Sequence, residues 1–555
     1  MKMSLMPFWL MAHAVRVSAL NPQLSALCSR SGLFPASSNG GTIMTAPALF
    51  AHRVADIQAH EAYLFEQVGV DPYALMKQAG QAVFERLTEC WPHAKRVLIA
   101  VGPGQNGGDG LVIAAEALKK GMSVHLISYK SPIVFTKAAA KAHVELKEIA
   151  YEHNQPQAAE IISDLESLTP LLAQADVLVD AVFGIGLDRP FEGAAYRFFD
   201  HLNQCLATQN IPVLAVDLPS GLHADSGAVN PGTLTAEQTV SFLGLKPGLL
   251  TGAGRACSGV ITLAELGYPL SYSEQAISVL NTPQARPPKP VSAHKGSFGT
   301  VVVLAGNRGM SGAARLAGEA ALRTGAGKVI VATHPSHAAS LNLTRPELMV
   351  YPVADSKDVL RLLGHADALV VGPGLGRDRW TNDVWRSLRH FDGPVVVDAD
   401  GLSRLGTRSL QNNPAVITPH PGEAAGMLDC SIAEIEDNRL QSALELSARY
   451  FCTAVLKGAG SLIASDKQLN ICARGTPALA TAGSGDVLSG VIGALLAAGI
   501  EPHQAAVQGV VLHAVAGEIC AQQQGEWGVL AADLFGPLGQ LVNQRTVGPE
   551  SRLRV

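Results

Sequence analysis

One glycine-rich turn in the first half of the chain carries residues that could bind a phosphate or a cation. Gly102, Gly104 and Gly107 form the pattern G-x-G-x-x-G between an apolar run, predicted as a strand, and a predicted helix. Glycines let the backbone approach a phosphate closely, and a helix start adds unpaired N–H groups. Asn106 and Asp109 add a carbonyl oxygen and a carboxylate within the same turn. The turn therefore predicts a site for a phosphorylated ligand or a cation.

This turn alone does not indicate a dehydrogenase. An NAD dehydrogenase with such a turn carries Asp or Glu at the end of the next strand, where this chain has the residues 128–130, Ser-Tyr-Lys. Two later strand ends supply oxygen ligands instead, namely Asp180 and then Asp217 with Ser220. One such acid alone often serves as a turn residue or a helix cap. Because parallel sheets bind ligands at the carboxyl ends of their strands, the three ends together predict a site for a hard cation or a polar ligand.

A second candidate site precedes an apolar helix near the end of the chain. Gly483 and Gly485 leave the N–H groups of the helix start open to a developing phosphate charge, and Asp486 could act as a general base on a hydroxyl group. An acidic residue here would otherwise only favour the helix dipole. Strand ends supply further loops at 372–376, 398–401, 418–423 and 457–461. The loop 418–423 contains His420, a residue type that often only packs or caps a helix.

The elements that must position these residues follow from short apolar runs that alternate with helical stretches. Such runs predict strands of parallel sheets covered on both faces. The predicted strands are Arg96–Val101, Ser123–Ser128, Ala175–Val182, Pro212–Val216, Thr300–Leu304, Lys328–Ala332, Ala368–Val371, Pro394–Val397, Ala415–Ile417 and Ala454–Leu456. Four prolines within Thr282–Pro290 predict a semi-rigid linker. We therefore predict two α/β domains.

Composition and charge narrow the class of protein. The 555 residues are 47% hydrophobic and 16% charged, which predicts a large core and excludes a disordered chain. A net charge of −5 argues against a protein that tracks nucleic-acid phosphates. The eight cysteines include no C-x-x-C pair, so we expect reduced thiols rather than a metal site or a disulfide framework. No apolar run reaches the ~18 residues of a membrane span, and Val487–Ile500 is interpreted as a buried helix. A cytoplasmic enzyme is expected.

The first 43 residues contain neither Asp nor Glu. This composition fits a transit-type or weak secretory leader, with Leu5–Ala12 as a short apolar core. The alternative, which we favour, is that translation starts at Met44 and the upstream residues are a wrongly assigned start. In both cases we expect residues 1–43 to be disordered.

The segments Gly102–Gly110, Asp180–Pro190 and Asp217–Gly221 resemble the epimerase part of the NAD(P)H-hydrate repair enzymes. The resemblance implies a Rossmann-like fold that interconverts the R and S hydrates of NADH and NADPH. It implies contacts to the hydrate from Gln105, Asn106, Gly107, Gly108, Asp109, Gly184, Ile185, Gly186, Leu187, Asp188, Arg189, Pro190 and Asp217. It implies a potassium ion held by Asn106, Asp180 and Ser220. Asp217 and Asp188 are the candidates for moving the proton, and Asp217 is taken as catalytic.

The stretch from His294 to Ala532 resembles a ribokinase-like fold, and more closely the ADP/ATP-dependent dehydratase part of the same family. It carries H-K-G-S-F-G, G-M-S-G-A-A and E-A-A-L-R-T-G-A-G. The resemblance implies that Asp486 is catalytic and that the hydrate is also contacted by Ala313, Gly374 and His420. It implies nucleotide binding by Lys457, Gly458, Ala459, Gly460, Ser461 and Gly485, with Mg²⁺ and ADP or ATP as cofactors.

The two resemblances together imply one bifunctional enzyme with two doubly wound parallel-sheet domains. The predicted boundaries are 44–275 for the Rossmann-like domain, 276–293 for the linker and 294–545 for the ribokinase-like domain. The expected partners are the hydrates of NADH and NADPH and an adenine nucleotide, in a homo-oligomer that binds neither nucleic acid nor membrane. One alternative is a ribokinase-like small-molecule kinase with an accessory Rossmann-like domain. Another is that the first domain is a binding module without catalytic activity.

Overall fold

The computed structural model describes residues 49–187, 189–270, 276–466, 468–543 and 553–554. These residues form two sheets, and we refer to residues 49–270 as the N-terminal half and to 276–543 as the C-terminal half. The predicted leader, residues 1–43, lies outside the described residues.

Short strands supply both sheets. In chain order the described strands are β1 (Leu49–Ala51), β2 (Arg96–Val101), β3 (Ser123–Ile127), β4 (Ile161–Ile162), β5 (Val177–Ala181), β6 (Val213–Val216), β7 (Gln238–Phe242), β8 (Val260–Ala264), β9 (Ile277–Leu280), β10 (Thr300–Leu304), β11 (Lys328–Thr333), β12 (Met349–Pro352), β13 (Ala368–Val371), β14 (Val395–Val397), β15 (Ala415–Ile417), β16 (Thr453–Leu456), β17 (Leu462–Ser465), β18 (Gln468–Cys472) and β19 (Leu553–Arg554).

Helices connect most of the strands and cover the sheets. The described α-helices are α1 (Val54–Tyr63), α2 (Pro72–Cys90), α3 (Gln105–Lys119), α4 (Lys137–Glu152), α5 (Leu165–Gln174), α6 (Gly193–Leu206), α7 (Gly252–Cys257), α8 (Ser311–Thr324), α9 (Ser356–Leu363), α10 (Arg379–Trp385), α11 (Pro421–Leu428), α12 (Ile432–Asp437), α13 (Arg439–Tyr450), α14 (Ser484–Ala497), α15 (Pro502–Gln524) and α16 (Phe535–Leu541).

The N-terminal sheet has the strand order β19-β8-β7-β6-β5-β2-β3-β4, and its described pairs are all parallel. Its central strands β2, β5 and β6 are buried almost throughout, since helices cover both faces, and apart from Arg96 and Asp180 they are apolar. The prediction of strand Arg96–Val101 is confirmed as β2, in which only Arg96 is exposed. The carboxyl ends of β2, β5 and β6 therefore lie side by side, and each leads into one of the predicted ligand loops.

The C-terminal sheet has the order β1-β9-β18-β17-β16-β15-β14-β13-β10-β11-β12. Strands β10 to β16 pair in parallel, which confirms the predicted doubly wound core. An antiparallel meander of β16, β17 and β18 extends one edge, and the sequence analysis did not predict it. The loop between β16 and β17 is the glycine-rich segment 457–461.

Three short strands pair outside the predicted domain boundaries. β1 lies in the predicted first domain but pairs with β9 in the C-terminal sheet. β9 lies in the predicted linker but pairs with β18. β19 lies beyond the predicted end of the second domain and pairs with β8 in the N-terminal sheet. The sequence of a strand of two to four residues is too short to show which strand it pairs with. The pairing depends on which sheet has an unpaired edge nearby in the folded protein.

Helix α14 positions the second predicted site against the sheet core. A Cβ atom on Gly490 would lie 2.1 Å from the carbonyl oxygen of Ala317, so α14 and α8 pack backbone to backbone there. Most of α14 is buried, which confirms the interpretation of Val487–Ile500 as a core helix. Among the described residues, α15 is the one helix long and apolar enough to cross a membrane, and 72% of its most apolar window is buried inside the protein.

Candidate active sites at the ends of the two sheets

The turn between β2 and α3 is too tightly packed for side chains at two of its glycines. A Cβ atom on Gly102 would lie 2.0 Å from the carbonyl oxygen of Val182, and one on Gly107 would lie 1.9 Å from the carbonyl oxygen of Gly102. Helix α3 begins at Gln105, and Gly104 before it has no side chain to cap the first N–H groups. The turn thus leaves backbone N–H groups for a ligand at the edge of the sheet.

Two other predicted ligands of this turn face in different directions. Gln105 is exposed to solvent. Gly108 is buried, and a Cβ atom there would lie 2.5 Å from the methyl carbon of Met76 and 2.8 Å from Cβ of Ala139. Gly108 therefore packs against α2 and α4, and its small size serves helix packing.

Asp180 at the end of β5 is a fully buried carboxylate held by neutral donors. It accepts hydrogen bonds from the backbone N–H of Ser220 at 2.8 Å and from the Ser220 hydroxyl at 2.6 Å. Burial raises the pKa of Asp180, and these hydrogen bonds oppose the rise. No lysine or arginine of the described ranges forms an ion pair with Asp180. A carboxylate buried without a positive charge is costly, and a bound cation would relieve that cost.

Asn106 lies next to the loop that follows β5, which also contacts Ser220. A Cβ atom on Gly184 would lie 3.4 Å from Oδ1 of Asn106, and the backbone N–H of Phe183 donates to the Ser220 hydroxyl at 2.8 Å. The Asn106 Nδ2 atom is buried without a hydrogen-bond partner in the protein. Native proteins rarely leave such a group unsatisfied. Asn106 and Ser220 thus contact the adjacent residues Gly184 and Phe183, and Asn106 carries a buried polar group without a partner in the protein.

Asp217, which follows β6 with a left-handed backbone (φ +67°), forms an ion pair with Lys246. The Lys246 ammonium also donates to the Ser241 hydroxyl at 3.1 Å and to the Phe242 carbonyl at 2.9 Å. Only 1% of the Lys246 side chain is exposed. The sequence analysis missed Lys246, whose signal is a single lysine between apolar residues shortly after a strand end.

Two further carboxyl groups lie near this ion pair. Burial raises the pKa of Asp109 well above its usual value, and the charges of Asp217 and Glu61 raise it further. Burial also raises the pKa of Glu61, Asp217 adds to the rise, and Lys246 opposes it. Neighbouring carboxyl groups whose surroundings push their pKa values apart can supply an acid and a base in a single site. Glu61 lies on α1 outside any motif, and sequence reasoning missed it.

The loop that follows β5 forms the rim of this site. Its ends are anchored by Phe183, whose ring centroid lies 5.7 Å from that of Phe191 and 5.5 Å from that of Tyr129. The half-buried predicted ligands are Gly184, Ile185 and Leu187, and the exposed ones are Gly186, Arg189 and Pro190. Asp188, the other candidate for moving the proton, lies outside the described residues.

In the C-terminal half, Asp398 at the end of β14 forms a buried ion pair with Lys457 at the end of β16. The Lys457 Nζ atom lies 2.9 Å from Oδ1 of Asp398, and the Ser489 hydroxyl donates to the other carboxylate oxygen at 2.6 Å. Burial opposes both charges, yet Lys457 lowers the pKa of Asp398, while Asp398 and Glu423 raise the pKa of Lys457. Both shifts favour the charged forms of the pair.

Asp486 lies in the first turn of α14 beside this pair. The helix follows Gly483, which has a left-handed backbone (φ +88°), and a Cβ atom on Gly485 would lie 3.2 Å from the Lys457 Nζ atom. Burial raises the pKa of Asp486 to about 7, the charge of Asp398 adds to the rise, and Lys457 opposes it. A carboxyl group that titrates near neutral pH is suited to take up a proton from a hydroxyl group.

The loop that follows β13 approaches the same region. Gly374 has a left-handed backbone (φ +55°), and a Cβ atom there would lie 3.1 Å from Cβ of Ala313 in α8. The backbone N–H of Gly376 donates to Asp400 at 2.8 Å, and the charge of Asp400 contributes to the raised pKa of Asp486. Gly374 therefore lies against Ala313, and Asp400 connects the same loop electrostatically to Asp486.

A cavity of about 720 Å³ lies over the loop between β16 and β17. This volume is typical of small-molecule sites. Its wall includes all the residues predicted to bind the nucleotide, which are Lys457, Gly458, Ala459, Gly460, Ser461 and Gly485. Leu479, Leu488 and Val510 form an apolar part of the wall. The cavity therefore combines an apolar surface for a base with backbone N–H groups and a lysine for phosphates.

His420 lies at the wall of the same cavity and caps α11. Its Nδ1 atom accepts hydrogen bonds from the backbone N–H groups of Gly422 at 3.1 Å and Glu423 at 3.4 Å. The side chain remains 56% exposed. His420 therefore has the helix-capping role considered in the sequence analysis. The exposed part of its ring shares the cavity wall with the loop 457–461, which we call the nucleotide loop.

His513 is a residue of this cavity that sequence reasoning missed. Its Nε2 atom lies 3.1 Å from the Ser484 hydroxyl and 3.0 Å from the Ser484 carbonyl oxygen, at the start of α14. Burial lowers the pKa of His513 to about 4, so the ring is neutral at physiological pH. A lone histidine in the apolar helix α15 carries no sequence signal that would distinguish it from a core residue.

Each half of the chain matches the model of a known protein family. A family model described as "YjeF-related protein N-terminus" matches residues 72–248, and one described as "NAD(P)H-hydrate dehydratase" matches residues 301–538. The bifunctional NAD(P)H-hydrate repair enzyme Nnr of Escherichia coli K12 is 39% identical over 495 residues, which are 88% of this chain and 93% of that protein. The chain belongs to this family of bifunctional repair enzymes.

A second full-length relative agrees with this assignment. The bifunctional NAD(P)H-hydrate repair enzyme Nnr of Coxiella burnetii is 38% identical and covers 86% of this chain and 96% of its own length. A crystal structure of the ADP/ATP-dependent NAD(P)H-hydrate dehydratase of Bacillus subtilis, co-crystallised with ATP and Mg²⁺, is 30% identical to this chain. It covers 46% of this chain and 93% of its own, with a TM-score of 0.43. The resemblance stated from the motifs is confirmed, whereas the roles of individual residues remain predictions.

Proposed function

We propose that this chain repairs hydrated nicotinamide dinucleotides by two reactions. The N-terminal site interconverts the R and S forms of NAD(P)H hydrate, and the C-terminal site dehydrates the S form to NAD(P)H at the expense of ADP or ATP. The names of the full-length relatives support this pair of reactions. The observation that carries the second reaction is Asp486, a carboxyl group with a pKa of about 7 beside Lys457 and the nucleotide cavity.

The proposed dehydration proceeds through a phosphoryl transfer, because hydroxide is a poor leaving group at neutral pH. Asp486 accepts the proton of the ring hydroxyl while that oxygen bonds to the terminal phosphorus, and the shortened nucleotide leaves. The N–H groups at the start of α14 and the loop 457–461 stabilise the charge on the phosphoryl group. Phosphate then leaves with the electrons of the C–O bond, assisted by the ring nitrogen. Loss of a proton from the neighbouring ring carbon restores the dihydropyridine.

The other ligand contacts in this half are proposals as well. We assign the hydrate to Ala313, Gly374, His420 and Asp486, and the nucleotide to residues 457–461 and Gly485. Mg²⁺ bound with nucleotide phosphates usually takes one or two protein carboxylates and several waters. Glu423 would be one such carboxylate because of its position, with one oxygen 3.9 Å from Lys457 at the start of the loop 457–461. When bound, the metal ion neutralises phosphate charge during the transfer.

In the N-terminal half we propose that Asp217 transfers the proton during epimerisation. Its support is the ion pair with the buried Lys246, together with a neighbouring Asp109 whose pKa is raised by burial. Burial favours the neutral form of Asp109, which would act as the acid, and the Asp217 carboxylate paired with Lys246 would act as the base at the hydroxyl-bearing carbon. The glycine turn and the loop 184–190 are proposed to contact the rest of the hydrate.

A potassium ion is proposed to lie among Asn106, Asp180 and Ser220. The donors fit, because they are oxygen ligands around a buried carboxylate that lacks a positive partner in the described protein. When bound, the ion balances the charge of Asp180. We expect epimerisation, but not the C-terminal reaction, to slow when K⁺ is replaced by tetramethylammonium and when Ser220→Ala is introduced. Equal epimerisation rates in both salts would remove the ion from the proposal.

The decisive experiment follows NADH absorbance with mixed R and S hydrate, ADP or ATP, and Mg²⁺. Conversion of both epimers supports the proposal, and no NADH from either epimer contradicts it. In Asp217→Ala we expect only the S form to be converted, and in Asp486→Ala we expect epimer exchange without NADH. A ribokinase-like small-molecule kinase would instead release a stable phosphorylated product from simple alcohols. A first domain without catalytic activity would leave the R form unconverted in the unmodified chain.

Location and assembly also remain proposals. The seven described cysteines are free thiols, which supports a cytoplasmic location because reducing compartments keep thiols reduced. The expected homo-oligomer is tested by light scattering of the purified chain, and a single-chain mass would contradict it.

A further inference from the structure

The cavity proposed for the nucleotide is not built from the C-terminal half alone. Its wall includes Arg255 and Ala256, which belong to helix α7 of the N-terminal half. The same wall contains the loop 457–461 and Gly485. A polar side chain from one half thus reaches the site at which the other half is proposed to react.

Hydrogen bonds fix α7 against the nucleotide loop. The Thr251 hydroxyl donates to the Gly460 carbonyl at 2.9 Å, and the Gly252 N–H donates to the Ala459 carbonyl at 2.9 Å. A Cβ atom on Gly460 would lie 1.8 Å from the carbonyl oxygen of Leu250. The two backbones therefore touch, and Gly460 (φ +62°) is the residue that permits the contact.

A buried arginine connects the start of α7 with the loop 457–461. Arg439 is fully buried, and its Nε atom donates to the Thr251 hydroxyl at 3.0 Å while its Nη2 atom donates to the Lys457 carbonyl at 3.0 Å. Its Nη1 atom donates to Glu436 at 3.0 Å. These bonds hold Thr251, four residues before Arg255, in register with the start of the nucleotide loop.

The Arg255 side chain acts on the interior of the cavity. Burial raises the pKa of the Cys472 thiol, another wall residue, to about 11, and the positive charge of Arg255 is among the influences that oppose this rise. The cavity wall also contains Lys457, which is paired with Asp398, and Arg474, which is paired with Glu518. A guanidinium can hydrogen-bond phosphate oxygens in a bidentate manner, which makes it a strong partner for a nucleotide.

We propose that Arg255 of the N-terminal half binds the adenine nucleotide used by the C-terminal half, so that the nucleotide site is composite. The proposal rests on nucleotide use by the C-terminal half. In this proposal α7 completes a nucleotide site that the C-terminal half does not form alone. Arg255 binds the nucleotide and takes no part in the chemical step.

The test compares full-length Arg255→Gln, Arg255→Lys and the unmodified chain. For Arg255→Gln we expect KM for ADP to rise about tenfold, as for loss of one charge-assisted hydrogen bond, with kcat at saturating ADP and epimerisation within twofold. Arg255→Lys should lie between the two because it keeps the charge but loses the bidentate geometry. Arg197→Gln, an exposed arginine on α6, is the matched control and should change nothing.

An unchanged KM for ADP in Arg255→Gln overturns the proposal. Loss of epimerisation in the same variant would mean that Arg255→Gln does not fold. In that case Arg255→Lys is the test, and an unchanged KM for ADP in that variant overturns the proposal. Calorimetric titration of the same proteins with ADP separates the two proposals. A chain that binds ADP through Arg255 but converts no hydrate contradicts the proposed function and leaves the composite site standing.

Discussion

The N-terminal and C-terminal sites both contain a buried Lys–Asp ion pair at the ends of parallel strands, but they place it differently. In the N-terminal site the pair, Asp217 with Lys246, lies among further carboxyl groups and is itself the proposed reactive centre. In the C-terminal site the pair, Asp398 with Lys457, is bonded to Ser489 of α14 and lies beside the proposed base, Asp486. One local arrangement can therefore supply acid–base chemistry in one site and hold the reactive group of another in place.

The largest loss of activity is expected in the C-terminal site, where the proposed base, Asp486, is not part of the ion pair. Asp486→Asn keeps the shape of the side chain and removes the base, so dehydration should fall by about 10²–10⁴-fold. Epimerisation should remain within twofold, because the N-terminal site is unchanged. Initial rates of NADH formation and of epimer exchange measure the two effects. The exposed Asp392→Asn is the control, and dehydration within threefold of the unmodified chain would show that Asp486 is not the base.

Breaking the N-terminal pair should affect activity and stability together. Lys246→Met leaves Asp217 buried without its cation, which costs about 3–5 kcal/mol in the free energy of unfolding, and epimerisation should fall about 100-fold. The double variant Lys246→Met with Asp217→Asn should recover most of the stability but not the activity. Urea unfolding and epimer exchange measure both. Full epimerisation in the single variant would show that the ion pair does not take part in the reaction.

The pKa of Asp486 predicts the pH dependence of the C-terminal reaction. The base works only when ionised, and burial raises its pKa to about 7, so kcat for dehydration should rise with pH up to about 7 and then level off. Below that value the slope should approach tenfold per pH unit. The measurement is kcat at saturating hydrate and nucleotide between pH 5.5 and 8.5. A flat profile in this range would exclude a single titrating base with this pKa.

The smallest effect concerns stability. The folded-state pKa of Asp486 lies above its ordinary value, so the folded protein binds a proton that the unfolded chain releases, and stability falls as pH rises between about 4 and 7. Asp486→Asn lacks this penalty. Its Tm should exceed that of the unmodified chain by about 1–3 °C at pH 8 and by less at pH 4.5. A difference in Tm that is independent of pH would contradict the proposed linkage, and Asp392→Asn should show no difference at either pH.

Local pattern was sufficient where strands are buried on both faces. The predicted strands Thr300–Leu304, Ala368–Val371 and Ala415–Ile417 coincide with β10, β13 and β15. Such strands are continuous apolar runs, since helices cover both sides of a parallel sheet. The ligand loops could be predicted with them, because glycines and acids directly after such runs lie at the carboxyl edge of the sheet.

The local sequence pattern did not predict site residues whose partners are distant in sequence. Lys246 is a single lysine among apolar residues, and its meaning comes from Asp217, 29 positions away. His513 meets Ser484 only because α15 packs on α14. Arg255 belongs to the half opposite the cavity that it lines. None of these residues lies in a motif, so no local spacing could have marked them.

The sequence by itself determined the family, the two parallel-sheet cores and the glycine-rich loops, because these depend on local hydrophobicity and on backbone geometry that only glycine permits. The tertiary structure alone decided which short strands complete which sheet, which carboxyl groups pair with a lysine, and that α7 contributes to the wall of the cavity proposed for the nucleotide. Hydrogen-bond partners, burial and electrostatic neighbours depend on distances in space, and the order of residues along the chain does not specify those distances.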